Sequence, residues 1–230
     1  IVWHCQGNLL YQLQQWAGAV ERYTRSQKVF EQAGNQLGLG QILSDLGNVY
    51  QDLGQWKKAA QYYEQALPLK RQSAQPHDLA ATINNLATNQ SSLGMPKAAL
   101  NTLTEALDIY QKVDHQEGVG QVLINQGNAL VKLGNLADAK LAFENAVQAL
   151  GENAARWDLP SALNGLGNVL RRRGELGEAM NAYRRSLEVA QELKDVTRQE
   201  QAVGNMGLVS QLKGELAAAK TIYSQALMLS

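Results

Sequence analysis

Asparagines stand at positions 8, 48, 128 and 168, separated by 40 residues or a multiple of 40. A primary amide both donates and accepts hydrogen bonds, so a row of amides at one period can hold the main chain of an extended peptide whatever its side chains. The same groups can instead bond a neighbouring helix and set how successive elements pack. Arg171, Arg172 and Arg173 form the one compact basic run, read either as a solvated helix face or as a contact for an acidic partner. The residues that could do metal or covalent chemistry are few and scattered. His4, His77 and His115 are far apart, and none has a second histidine or cysteine at helical spacing, so a metal site is not expected. Gly38 and Gly40, or Gly118 and Gly120, superficially resemble phosphate loops, but no strand precedes them and the third glycine is missing. They read as turns entering a helix. No catalytic constellation, cofactor site or enzyme activity is expected.

The period that spaces the asparagines runs through the whole chain. Alanine recurs at 19, 59, 99, 139, 179 and 219. Glycine fills 7, 47, 127, 167 and 207, with Ala87 in the remaining slot. A second glycine column at 54, 94, 134, 174 and 214 has Gln14 as its exception. Tyr23, Tyr63, Leu103, Phe143, Tyr183 and Tyr223 form a bulky column, and Ser26, Ala66, Ala106, Ala146, Ser186 and Ala226 a small one. A fixed period of this length marks an array whose units bury their apolar faces against their neighbours.

Within each unit the apolar spacing is helical. Ile42, Leu43, Leu46, Val49, Tyr50 and Leu53 recur at three and four residues, Gly54 interrupts, and Trp56, Ala59, Ala60, Tyr63, Ala66 and Leu67 resume. Each unit is therefore two antiparallel helices, A and B, joined at a glycine suited to a left-handed turn. Gln14 is expected to be slightly strained there, or the helix to end differently. The small columns are expected where paired axes come closest, Pro68 is expected to kink or end its helix, and Pro96 and Pro160 fall near helix starts. The sequon at Asn89 lies inside a helix and is discounted.

These columns resemble the tetratricopeptide repeat, whose helix pair carries large, large, Gly, Tyr, Ala, aromatic and Ala in the order seen at Leu43, Leu46, Gly47, Tyr50, Ala59, Tyr63 and Ala66. Units with Leu-Gly-Asn, as at Leu46-Gly47-Asn48, are similar to those of kinesin light chains, Pins/LGN proteins and bacterial signalling arrays. The resemblance implies an all-α, right-handed superhelical solenoid of six antiparallel helix pairs, with units at approximately 1–39, 40–79, 80–119, 120–159, 160–199 and 200–230. It also implies a concave groove lined by helix A, binding a peptide or protein segment. On that reading the peptide-binding residues are Asn8, Asn48, Gln51, Asn84, Asn128, Lys132, Asn164, Asn168, Arg171 and Arg172. The column His4, Ser44, Asn84, Ile124, Asn164 and Gly204 lacks the lysines of a carboxylate clamp.

Charge and composition limit the alternatives. Lys plus Arg equals Asp plus Glu at 21 each, without the basic excess of a nucleic-acid surface. No apolar run approaches a membrane span, and the lone Cys5 suits a reducing, cytoplasmic setting. Ile1 falls inside a helix and Ser230 follows no polar capping helix, so the sequence is read as a fragment of a longer protein. Two other functions stay open: a regulatory or sensor array of a larger signalling ATPase or protease, and a structural array self-associating through its uncapped ends.

Overall fold

The computed structural model describes residues 2–73, 75–151 and 157–227, with side chains described through Ser224. Ile1, Ser230 and the side chain of Ala226 lie outside the described residues. All regular structure among these residues is helical: α1 (Val2–Gln12), α2 (Trp16–Gln32), α3 (Gln36–Asp52), α4 (Trp56–Arg71), α5 (Pro76–Ser92), α6 (Pro96–Lys112), α7 (Gln116–Lys132), α8 (Leu136–Gly151), α9 (Leu159–Arg172), α10 (Leu176–Glu192), α11 (Val196–Leu212) and α12 (Leu216–Leu227). None is long and apolar enough to cross a membrane. Odd-numbered helices are the A helices of the repeat and even-numbered ones the B helices.

The chain divides into two compact units, Ile1–Asp114 and His115–Ser230. In the first, α1–α2, α3–α4 and α5–α6 pair, and α2 packs on α3 and α4 on α5. In the second, α7–α8, α9–α10 and α11–α12 pair, with α8 on α9 and α10 on α11. The cores run from repeat to repeat: one cluster joins Ala19 and Tyr23 to Ile42, Leu46, Tyr63 and Leu86, and another joins Ile124, Ala139 and Phe143 to Leu159 and Leu163. The alanine column is buried in every repeat. Ala19, Ala59, Ala99, Ala139 and Ala179 are fully buried, and Ala219 almost so.

The glycine and aromatic columns turn out to be two halves of one contact. Gly7, Gly47, Gly127, Gly167 and Gly207 each lie against the ring at Tyr23, Tyr63, Phe143, Tyr183 and Tyr223 respectively, and a methyl group at any of them would come within 2.8 Å of that ring. The glycine is needed because the flat ring of the B helix rests on the backbone of the A helix. Repeat three has Ala87 and Leu103 instead, a side chain restored on one helix where the ring is lost from the other.

The turns between A and B helices have glycine in the left-handed region, with φ of 67° at Gly54 and 81° at Gly174. Gln14 adopts the same conformation at φ 57°, so the expected strain is present. A second left-handed column lies after the B helices, at Gly34, Asp114 and Lys194 with φ of 64°, 52° and 56°. It was not legible beforehand because its residue types have nothing in common.

Two local expectations are corrected. The glycines Gly38, Gly40, Gly118 and Gly120 do not lie in turns but are the third and fifth residues of α3 and α7. Gly120 is pressed on Leu150 and Gly38 on Phe30, so these glycines let a B helix approach the start of the next A helix. At Pro68, where a kink or an end was expected, helix α4 does not end but continues through Arg71. Pro68 and Glu64, whose carbonyl loses its intrahelical donor, are both exposed, so water can satisfy that group. Pro76, Pro96 and Pro160 occupy first-turn positions, where the missing N–H costs nothing.

Candidate functional site

The histidines have separate structural settings. Nδ1 of His115 accepts the backbone N–H of Gly118 at 2.9 Å and caps α7, as Asn35 caps α3 and Asp195 caps α11. His4 meets Asp45 at 2.8 Å, and the His77 ring stands edge-on to Tyr110. Among the described residues no group of three or more His, Cys, Asp and Glu could hold a metal ion.

The asparagine column is organised by the tyrosines. The Tyr23 hydroxyl donates to Oδ1 of Asn8 at 2.8 Å, Tyr63 to Asn48 at 2.7 Å and Tyr183 to Asn168 at 2.9 Å. Each bond joins the A and B helices of one repeat and fixes which way the amide points, with its oxygen toward the protein. In repeat four the aromatic residue is Phe143, which has no hydroxyl, and Asn128 is exposed. Burial raises the pKa of Tyr23, Tyr63 and Tyr183 above the ordinary phenol value; the guanidinium of Arg171 partly offsets it at Tyr183.

Other amides lace neighbouring A helices together. Asn85 on α5 donates to Oδ1 of Asn48 on α3 at 3.0 Å, and Asn89 donates to Gln51. In the second unit Asn205 on α11 donates to Asn164 on α9 at 3.4 Å. Asn84 and Asn164 are buried between elements, as are Ser44 and Ile124 of the same column. That column faces the packing rather than an open surface, a further physical reason against a carboxylate clamp there.

The first unit contains a cleft of about 250 Å³ lined by Asn8, Tyr11 and Gln12 of α1, Tyr23 of α2, and Asp45 and Asn48 of α3. Asn8 and Asn48 therefore share one site, while Gln51 accepts from Asn89 of α5 and Asn84, on α5 itself, is buried. At its edge the Tyr11 hydroxyl donates to Asp52 at 2.7 Å, and burial followed by the Asp52 carboxylate raises the Tyr11 pKa. Asp45 was not among the expected residues. Its column reads Cys5, Asp45, Asn85, Asn125, Gly165 and Asn205, with no common residue type to signal it.

In the second unit the basic run splits three ways. Arg173 pairs with Glu175, Arg172 is exposed and reaches the Val131 carbonyl at 3.5 Å, and Arg171 has a buried Nε without a hydrogen-bond partner. Lys132, at the end of α7, is exposed.

Comparison with known proteins accords with this architecture. A tetratricopeptide repeat profile matches residues 1–72 and 78–152, and a second tetratricopeptide repeat profile matches residues 161–193. The chain belongs to the tetratricopeptide repeat family. No curated protein sequence matches it. Among solved structures, BtubC (BKLC) from P. vanneervenii is 20% identical with a TM-score of 0.79, over 91% of this chain and 89% of that one. The apo form of RapI is 13% identical with a TM-score of 0.80, over 99% and 96%. A Rap protein complexed with Competence and Sporulation Factor is 15% identical with a TM-score of 0.74, over 99% and 73%. At these identities the likeness is one of fold.

Proposed function

We propose that this tetratricopeptide array is a recognition module that binds an extended protein segment against the faces of its odd-numbered helices, with no chemistry of its own. One observation carries the reading: Asn8, Asn48 and Asn168 are each held through the amide oxygen by a tyrosine of the same repeat. Asn8 and Asn48 are thereby pre-set one repeat period apart in the first unit, and Asn168 is held the same way in the second, so an extended segment could engage the amides of either unit without reorganising it. Asn128 adds an exposed amide at the same register. The structural role and the recognition role coexist in these residues, because the tyrosine bond uses the oxygen and recognition would use the NH₂. A neighbour of the same fold, the Rap protein complexed with Competence and Sporulation Factor, supports ligand binding by this architecture.

Lys132, Arg171 and Arg172 give the second unit a basic end, suited to acidic residues of the segment. The setting proposed is the cytoplasm, where an exposed single thiol at Cys5 stays reduced. Selection from a random displayed peptide library tests the reading. Peptides retained by the wild-type chain and released by Asn8→Ala or Asn128→Ala support it. Peptides retained equally by both variants overturn it.

A further inference from the structure

The cleft of the first compact unit has a chemical character of its own. Its lining holds the Asp45 carboxylate, the phenol oxygens of Tyr11 and Tyr23 and the amide of Gln12 as acceptors, while Asn8 and Asn48, whose oxygens are taken by Tyr23 and Tyr63, offer their NH₂ groups. The Asp45 side chain is only 14% exposed. Oδ1 accepts from Gln41 at 3.0 Å and Oδ2 meets His4 at 2.8 Å. The buried cation closest to this network, Lys70 on α4, donates to Gln41 at 2.9 Å instead of reaching the carboxylate. Among the described residues no lysine or arginine forms an ion pair with Asp45. A second carboxylate, Asp52, stands beside the cleft on the Tyr11 hydroxyl.

An anion entering this cleft would meet the Asp45 carboxylate, with Asp52 at its edge adding to the repulsion, and a purely apolar side chain would leave the acceptors desolvated without donors. A guanidinium or ammonium group supplies donors only, carries the opposite charge, and can lie against a tyrosine ring while its methylene stem fills the remaining space. The volume is of the right order for one long side chain. We propose that this cleft takes an arginine or lysine side chain of the bound segment, an inference that rests on the recognition role proposed above. The second unit carries no such preference, since Gly165 stands where repeat two has Asp45, and Arg171 and Arg172 bring the opposite charge. The two units thus select for opposite charges.

The test is a nuclear magnetic resonance titration of the full chain with acetyl-arginine-amide, and with acetyl-citrulline-amide as a neutral probe of nearly the same shape. The expected result is saturable shifts of the Asn8 and Asn48 side-chain amides with the arginine probe and binding about tenfold weaker with citrulline, as for loss of a charge-assisted hydrogen bond. Asp45→Asn, which keeps the shape and the contact to His4, should remove the difference between the two probes. Equal binding of both probes to the wild-type chain would overturn the proposal even if Asp45→Asn failed to fold. So would an arginine preference that survived in a folded Asp45→Asn. The recognition role is tested separately. Library peptides that depend on Asn8 but contain no basic residue would overturn the charge preference and leave recognition standing, whereas peptides indifferent to Asn8 and Asn128 would remove both.

Discussion

The Tyr183 ring lies on the backbone of Gly167, so that a methyl group on that glycine would stand 2.5 Å from the ring edge. The relation repeats through the array and is exchanged in repeat three for Ala87 and Leu103. It accounts for two sequence columns at once, and it sets the height at which the tyrosine hydroxyl meets the asparagine one residue beyond the glycine.

Gly167→Ala should therefore cost about 1 to 3 kcal/mol by overpacking. Combined with Tyr183→Leu, the pair found at Ala87 and Leu103, the double variant should be more stable than the sum of the two single effects by about 1 kcal/mol, a coupling within the usual range for residues in contact. Urea denaturation of the four proteins completes the cycle. Strict additivity would mean that ring and glycine are not partners.

Gln14→Gly should raise stability by about 0.5 to 1 kcal/mol, because a left-handed backbone costs a residue with a side chain roughly 1 to 2 kcal/mol while glycine gives back part of that in chain entropy. The reverse change, Gly174→Ala, should lower it. Melting temperatures that moved in the same direction for both would refute the assignment of strain.

The repeat, the helix pairs, the alanine contacts and the strained turn at Gln14 could all be read from the sequence because each keeps one residue type at one period. The contact of ring on glycine was harder to see, since it is a relation between columns on different helices. The left-handed positions at Asp114 and Lys194, and the acid at Asp45, were invisible for a different reason: nothing about the residue type repeats there. Helix starts lay several residues earlier than the glycines at 38 and 40 suggested, because those glycines serve contact with Phe30 and Leu69 and not a turn. Of the expected site residues, Asn8 and Asn48 meet in one cleft, whereas Asn84 and Asn164 are consumed by packing.

Tyr183→Phe removes only the hydroxyl that donates to Asn168. It should cost about 1 kcal/mol of stability, the usual net worth of such a bond. If the tyrosine sets the amide for recognition, the same change should also weaken any ligand that uses Asn168, although Tyr183 itself is buried. An unchanged affinity in a measurably destabilised variant would assign the bond to folding alone.

Asp195 provides a pH signature. Its carboxylate accepts the backbone N–H of Arg198 at the start of α11 and faces the Arg198 guanidinium, and these interactions, the backbone bond first, hold its pKa below the ordinary carboxylate value. A depressed carboxylate contributes stability above its unfolded pKa and loses that contribution as pH falls through its folded pKa. Asp195→Asn retains a capping oxygen without the charge. The wild-type chain should melt higher than the variant at neutral pH, and the gap should close in acid. A gap independent of pH would show that the charge at Asp195 does not matter.

The most direct measurement is the affinity of a selected peptide for three single variants: Asn8→Ala in the first unit, Asn128→Ala in the second, and Glu64→Ala on the exposed face of α4. One of the two asparagine variants should bind about tenfold more weakly, and Glu64→Ala should bind like the wild-type chain. Full affinity in both asparagine variants, with binding lost in Glu64→Ala, would place recognition on the even-numbered helices and contradict recognition by the odd-numbered ones.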